Sequence, residues 1–388
     1  MKRSTDRILT SHAGGLHRPD DLREMIASHP DGQPFDAATD RRVREAVAEV
    51  VRLQAENGLD VVNDGELPKR SWSAYVRGRL AGTDQHPPSP GEVSPGGITA
   101  REQRVFPEYF AGQRMGGGGG GGAAAQRYAY CVGPLQYIGW EDTKRDIEYM
   151  QAALQGANVE EAFLSAISPG SVEHYLRNEH YKTQEEFLHA ICDAMHEEYK
   201  LIADAGFILQ LDDPGLPDGF GIHADMSVAE YRNFAEARVE ATNYALRDIP
   251  EDRVRLHICW GSVHHPHTTD IPLADIIDIL YKLNIQCYSI EQANPMHEHE
   301  WEVFAEHKLP EGKIIMPGVL GHAAREFVEH PELVAQRLIR YANLVGRENV
   351  IGGTDCGLSR AAHESIQWAK FRAGAAGARI ATKKLWGR

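Results

Sequence analysis

Short apolar runs alternate along the chain with longer amphipathic stretches, the rhythm of repeated βα units wound around a parallel sheet. The runs at 7–11, 59–64, 128–132, 162–167, 207–211, 254–259, 285–290, 313–319 and 349–353 are predicted strands. A (β/α)8 barrel takes eight strands, one fewer than this set. The run at 128–132 follows an irregular region and is therefore assigned outside the barrel. Val43, Ala46, Val47, Val50 and Val51 recur at helical spacing across 40–57 until Gly58 ends the pattern. Thr183 with Glu186, and Ser227 with Glu230, are spaced as capping boxes at two further helix starts. A helix over 333–345 leads through Gly346 into the last strand.

Two stretches break the rhythm. Residues 82–97 are rich in Pro, Gly and Ser, and 116–122 is an unbroken run of glycine followed by three alanines. No Lys-Ser/Thr follows the glycines and no strand delivers them, so they do not form a phosphate loop. A flexible surface excursion is expected there. The predicted architecture is an α/β TIM barrel, one catalytic domain over 1–388 with an irregular Gly/Pro-rich insertion at about 82–126.

In such barrels the ligand site is built at the C-terminal ends of the strands, so the polar residues closing each apolar run are informative. His257 and Cys259 are two apart, and the two-residue period of a strand turns both to one face. Glu291 closes the run at 285–290, and Cys356 follows the last run. Imidazole, two thiols and a carboxylate make a complete ligand set for zinc. The thiolates argue against magnesium or calcium, which prefer oxygen. Cys131, Cys192 and Cys287 are expected to be small core residues. His264, His265 and His267, with His297 and His299, are read as solvated loop residues rather than as the second metal cluster they resemble. Trp72 and Trp260 are each expected either in the wall of a donor pocket or in the core.

Composition narrows the partners. Lys plus Arg total 41 against 56 Asp plus Glu, a formal charge of −15, which argues against nucleic acid and anionic membrane surfaces. No apolar run reaches the roughly 20 residues of a spanning helix. The basic start of the chain is followed by no apolar stretch, so no secretory signal is expected and the location is read as cytoplasmic. Five cysteines in 388 residues do not make a disulfide framework. Small-molecule ligands follow, and a homo-oligomer is compatible with this composition.

The motifs His257-x-Cys259, Ser289-Ile-Glu291, Thr354-Asp-Cys356-Gly-Leu, Gln210-Leu-Asp-Asp-Pro214 and Asn63-Asp-Gly-Glu66 together resemble the cobalamin-independent methionine synthases. The opening Leu9-Thr-Ser-His-Ala-Gly-Gly-Leu-His-Arg-Pro19 is similar to the family's first strand loop. The catalytic barrel of that family belongs to a wider group of zinc-dependent thiol alkyltransferases. The resemblance implies that His257, Cys259, Glu291 and Cys356 hold Zn2+. It also implies that Asp212 and Glu66 receive the amino group of an amino-acid thiol, with the backbone from Ser11 through His12 to Gly14 near its carboxylate. His322 lies close to where the family carries a catalytic histidine.

A free thiol titrates near pH 8.5, so a metal is needed to make the thiolate at neutral pH. The expected reaction is alkyl transfer to that thiol, in the first place methyl transfer to homocysteine giving methionine, with the thiol displacing Glu291 or a water. His322 is the candidate general acid for the leaving atom; a histidine satisfied by helix N-terminal contacts is its alternative. Asp213 and Asp64 are read as turn-forming residues. Two competing functions are epoxide opening of the epoxyalkane:coenzyme M transferase type and a non-catalytic zinc- or thiol-binding barrel. The partners expected are a homocysteine-like thiol and an alkyl donor.

Overall fold

The computed structural model describes residues 1–29, 33–87, 99–112, 128–261 and 265–387. The glycine run at 116–122 and His264 lie outside the described residues. Among the described residues, the apolar runs form one parallel sheet of eight short strands. They are β1 (Leu9–Thr10), β2 (Val61–Val62), β3 (Glu161–Ile167), β4 (Ile208–Asp212), β5 (Val254–Ile258), β6 (Cys287–Ile290), β7 (Ile314–Leu320) and β8 (Ile351–Thr354). Each strand pairs with its neighbours in chain order, and β8 returns to β1. The remaining seam is drawn together by Asp60 N donating to Thr10 O at 3.0 Å and Ser11 Oγ donating to Val61 O at 3.2 Å. The result is the nearly closed (β/α)8 barrel that the rhythm predicts.

The run at 128–132 belongs, as expected, to a separate element. Tyr128–Tyr137 pairs with Leu80–His86 and Leu176–Asn178 in a three-stranded sheet beside the barrel. The expected irregularity of 82–126 does not hold for its described parts. Residues through His86 are strand, and Ala100–Val105 and Pro107–Gly112 are short helices.

Inside the barrel the inward residues form layers, because parallel partners in register point the same way. The floor is apolar: Leu9, Cys287, Ile314, Met316 and Ile351 form one cluster, and Val61, Phe163 and Ile208 another, with Met1 against both. Cys287 is therefore a core residue, as predicted, and Cys131 and Cys192 are buried too. Ser165, Gln210 and Arg255 are register partners one layer up. Asp212, His257 and Ser289 are partners above them. Continuing the two-residue period past the strand ends leads to Cys259, Glu291 and Asp355, and the barrel axis thereby changes from oil to acid.

The outer helices follow from their apolar stripes and caps. Ala37–Glu56 buries the predicted Val43, Ala46, Val47, Val50 and Val51, and its N-cap Asp36 accepts from Thr39 N. Ser227 and Glu230 form a complete capping box, whereas Glu186 caps Lys182 N instead of Thr183 N. No helix among the described residues is long and apolar enough to cross a membrane.

Arg79, at the end of the helix Trp72–Arg79, anchors the insertion to the barrel. Its guanidinium, fully enclosed, meets Asp146 at 2.7 Å, Glu198 at 2.6 Å and Thr143 Oγ1 at 2.6 Å. Removing one member of such a buried network strands the others. Arg79→Met is expected to lower the unfolding free energy by roughly 3–5 kcal/mol, read from the urea midpoint and slope. A loss below about 1 kcal/mol would show that the network carries no weight.

Candidate functional site

His257 is the penultimate residue of β5, and its two nitrogens differ sharply. Nδ1 lies 3.2 Å from Ser289 Oγ on the neighbouring strand, whereas Nε2 is buried with no hydrogen-bond partner. Cys259 comes two residues later, and its sulfur stands 3.8 Å from that of Cys356. One donor atom each from His257, Cys259 and Cys356 falls within 4.8 Å of the others. Two thiolates bound tetrahedrally at about 2.3 Å from zinc are themselves about 3.8 Å apart. The orphaned imidazole nitrogen and the sulfur spacing both fit a thiophilic divalent ion, with Ser289 fixing the ring from behind. Three protein donors leave one tetrahedral position open, as catalytic rather than structural zinc sites do. The hydrogen bond between the thiols holds Cys356 well below the ordinary thiol range and, with burial, pushes Cys259 well above it.

Glu291, the fourth ligand that the resemblance implies, lies outside this 4.8 Å group. Its Oε2 accepts from Trp260 N at 2.8 Å and its Oε1 from Asn294 Nδ2 at 2.9 Å. It clusters instead with His322 and Asp355, all three buried. His322 Nδ1 is 3.7 Å from Glu291 Oε1 and has no hydrogen bond. Asp355 Oδ1 receives the N–H groups of Gln292 and Ala293, while Oδ2 is left without a partner. The carboxylate fits only because residue 318, where the β7–β8 register shifts, is glycine; a Cβ there would lie 2.0 Å from Asp355 Oδ1. Burial pushes Glu291 well above the usual carboxylate range, with Asp355 adding to it.

Across the mouth, the turn after β2 presents Glu66. Asn63 Oδ1 accepts from Gly65 N and Asp64 Oδ1 from Glu66 N, confirming Asp64 as a turn former. Glu66 itself takes a left-handed conformation, φ 56°. Its carboxylate packs on Gly14, where a Cβ would come within 2.3 Å of Oε1. Burial raises Glu66 to about 7, against the pull of Lys69. Asp212, held by Gln210 Nε2 at 2.7 Å, is pushed far up by burial and then by Glu66. Asp213 instead accepts from Ser171 Oγ at 2.9 Å inside the following turn and sits near 6, raised by burial.

The first strand loop departs from expectation. Ser11 N donates to Gly352 O, Ala13 N to Thr354 Oγ1 and Gly14 N to His12 Nδ1, which leaves none of these for a substrate carboxylate. The Ser11 hydroxyl is spent on Val61 O and Arg255. The His12 ring lies between Phe163 and Phe371 with Nε2 on Gln54, and burial lowers it to about 3. Ser11 and His12 are thus framework, and Gly14 contributes the space that Glu66 fills.

Three features escaped the sequence. Asp218, on the helix Gly215–Ile222, is driven well above its usual range by burial, then by the charges of Asp270, Glu291 and Cys356. No spacing signal marks it, because the helix after β4 alone brings it in. A cavity of about 220 Å³ beside Glu66 is lined by Arg18, Arg23, Lys69, Arg70 and Trp72. Trp72 is therefore a wall residue, whereas Trp260 is core, its Nε1 on Ile271 O and its ring stacked on His297. The described part of the histidine loop is not solvated as expected: His265, His267 and His297 have side chains 3%, 10% and 2% exposed, and among the described histidines of this set His299 alone is exposed.

The profile of the cobalamin-independent synthase catalytic domain matches residues 170–376. A Thermotoga petrophila protein named 5-methyltetrahydropteroyltriglutamate--homocysteine methyltransferase is 21% identical over 372 residues, covering 92% of this chain and 42% of that protein. The chain thus spans less than half the length of that relative. A methionine synthase of Sulfurisphaera tokodaii is 23% identical over 350 residues, covering 90% of this chain and 85% of the relative. The structure of a B12-independent methionine synthase from Shewanella sp. W3-18-1 in complex with selenomethionine shares the fold, with TM-score 0.71 and 19% identity over 98% of this chain and 100% of that one.

The packing of Glu66 on Gly14 can be weighed directly. Gly14→Ala introduces both a disfavoured φ of 124° and a clash, whereas Gly156→Ala, at φ 80° with nothing within 4 Å, introduces the strain alone. Gly156→Ala is expected to lower stability by about 1 kcal/mol and Gly14→Ala by about 2–3 kcal/mol, measured by urea unfolding. Equal losses would show that Glu66 is not held where it stands.

Proposed function

Because the chain belongs to the cobalamin-independent synthase catalytic-domain family, we propose that it transfers a methyl group to homocysteine to give methionine. The observation that carries this reading is the convergence of a buried imidazole nitrogen without a partner on two sulfurs 3.8 Å apart, opposite a pair of acids suited to an ammonium group. The relatives, named a 5-methyltetrahydropteroyltriglutamate--homocysteine methyltransferase and a methionine synthase, support the same substrates. We take 1–388 as one catalytic domain and place it in the cytoplasm, where cysteines stay reduced.

His257, Cys259 and Cys356 would hold zinc, and zinc so bound would lower the pKa of a substrate thiol into the neutral range. Glu291, whose charge acts on Cys259, would be the fourth ligand that an incoming thiol displaces. Glu66 and Asp212 bind and orient the amino group, since a cation between two buried carboxylates relieves both their repulsion and their desolvation. The same field repels a sulfonate, which disfavours the coenzyme M alternative. His322, whose Nδ1 stands without a hydrogen bond beside Glu291 and Asp355, is our candidate to give a proton to the leaving nitrogen. Burial of these groups keeps bulk water from competing for that proton.

The test is methionine formation from homocysteine and methyltetrahydropteroyltriglutamate by zinc-loaded protein. Cys356→Ser is expected to lose both the zinc, by elemental analysis, and at least 100-fold in kcat/KM, about 2.7 kcal/mol. Full activity in zinc-free protein would reject the reading, and stoichiometric zinc without transfer would favour the non-catalytic binder.

A pH dependence follows from Glu66. Its folded pKa, raised from 4.5 to about 7, means that the folded, ligand-free chain keeps a proton that the unfolded chain loses. That contribution to stability is present below pH 4.5 and fades as pH rises through about 7. Ammonium binding needs the ionised form, so homocysteine affinity, measured by calorimetry, is expected to rise with pH up to about 7 and then level. Glu66→Gln is expected to weaken binding about tenfold and flatten this slope; an unchanged profile would remove Glu66 from the ammonium site.

A further inference from the structure

The loop after β5 carries a second set of donors. His267 adopts φ 60°, a left-handed conformation that is unusual for a residue with a side chain. That turn folds its ring back onto His265, with centroids 3.6 Å apart and planes at 24°. His267 N donates to His265 Nδ1 at 3.2 Å, and His267 Nδ1 lies 2.7 Å from Asp270 Oδ2. One donor atom each from His265, His267 and Asp270 falls within 4.8 Å of the others.

Two outside groups hold this arrangement. Glu102, 1% exposed on the helix Ala100–Val105, takes hydrogen bonds at 2.7–3.2 Å from the N–H and hydroxyl groups of Thr268 and Thr269. Its Oε2 stands 3.8 Å from His265 Nδ1. From the other side His297 Nε2 lies 3.1 Å from Asp270 Oδ2, with His297 Nδ1 on Glu300 at 2.9 Å and the ring stacked on Trp260. Carboxylate-to-imidazole-to-carboxylate chains of this kind are what orient ligands around protein-bound metals. A loop needing only to be closed would not require two imidazoles stacked in a strained turn; strain of this kind is kept where it serves a site.

We propose that His265, His267 and Asp270 form a second site for a divalent transition metal, a two-nitrogen, one-oxygen set distinct from the thiol site. Imidazole and carboxylate donors suit zinc, cobalt(II) and iron(II), and three donors leave positions for water or a ligand oxygen. The site stands on its own geometry and does not depend on the methyl-transfer reading.

Cobalt(II) titration of the metal-free full-length protein tests it, because only the thiol site yields a thiolate-to-cobalt charge-transfer band. Wild type is expected to take two equivalents, one with that band and one without. Cys259→Ser/Cys356→Ser should lose the band and keep one equivalent. His265→Ala/His267→Ala should keep the band and bind one. Asp270→Asn, close to isosteric and able to keep the loop folded, should weaken the band-free equivalent at least tenfold, while His299→Ala should change nothing. One equivalent in wild type, two retained in the histidine double variant, unchanged affinity in Asp270→Asn, or equal weakening by His299→Ala, the mark of an adventitious ion only, would each overturn the proposal.

Discussion

Acids and thiols are buried together at the mouth of this barrel, and that crowding governs the site. Glu66, Asp212, Asp218, Glu291 and Asp355 are all raised above the usual carboxylate range, burial being the largest cause at each. A fold tolerates such a cluster either by keeping protons on it or by filling it with cations. The first solution describes the protein alone. The second is what a metal on His257, Cys259 and Cys356 and an ammonium group at Glu66 and Asp212 would supply under the proposed function, with binding and charge relief then one event.

Barrel register is what assembles the cluster from distant parts of the chain. Asp212, His257 and Ser289 lie side by side on three strands, and one further step of the strand period reaches Cys259 and Glu291. Single glycines clear the room: Gly14 for Glu66 and Gly318 for Asp355. The apolar floor below closes the barrel against water, so the acids above it meet solvent from one end only.

This division explains what could be read from sequence. All eight barrel strands were legible because each is an apolar run between amphipathic helices, and His257-x-Cys259 was legible because two-residue spacing means one face. Cys356 could be read as a strand-end donor. What could not be read depends on partners remote in the chain. Glu291 could be read as a strand-end carboxylate, but the hold of Trp260 N and Asn294 on one oxygen each could not. Nor could it be read that Gly352 and Thr354 take the N–H groups of Ser11 and Ala13. The histidine loop looked solvated because nothing local shows that Glu102, some 166 residues earlier, clamps it down. The Pro- and Gly-rich insertion looked irregular, whereas Arg79 ties its start to Asp146 and Glu198.

Arg255 completes the electrostatic argument. It is wholly buried beneath the mouth, yet its hydrogen bonds go to the neutral acceptors Gln210 Oε1, Ser11 Oγ and His12 O, with Met316 Sδ at 3.8 Å and the Phe163 ring at 3.6 Å. Burial lowers its pKa only to about 10, so the charge persists at neutral pH. A guanidinium hydrogen-bonded to a carboxylate would spend its field locally; this one projects upward through Gln210, whose carbonyl it holds and whose amide therefore donates to Asp212. The arginine thus orients, through Gln210, an acid that burial and Glu66 still hold well above the usual carboxylate range. A lysine in its place could not make the same forked set of bonds, so the layer that separates floor from site also fixes which way the site's first carboxylate faces.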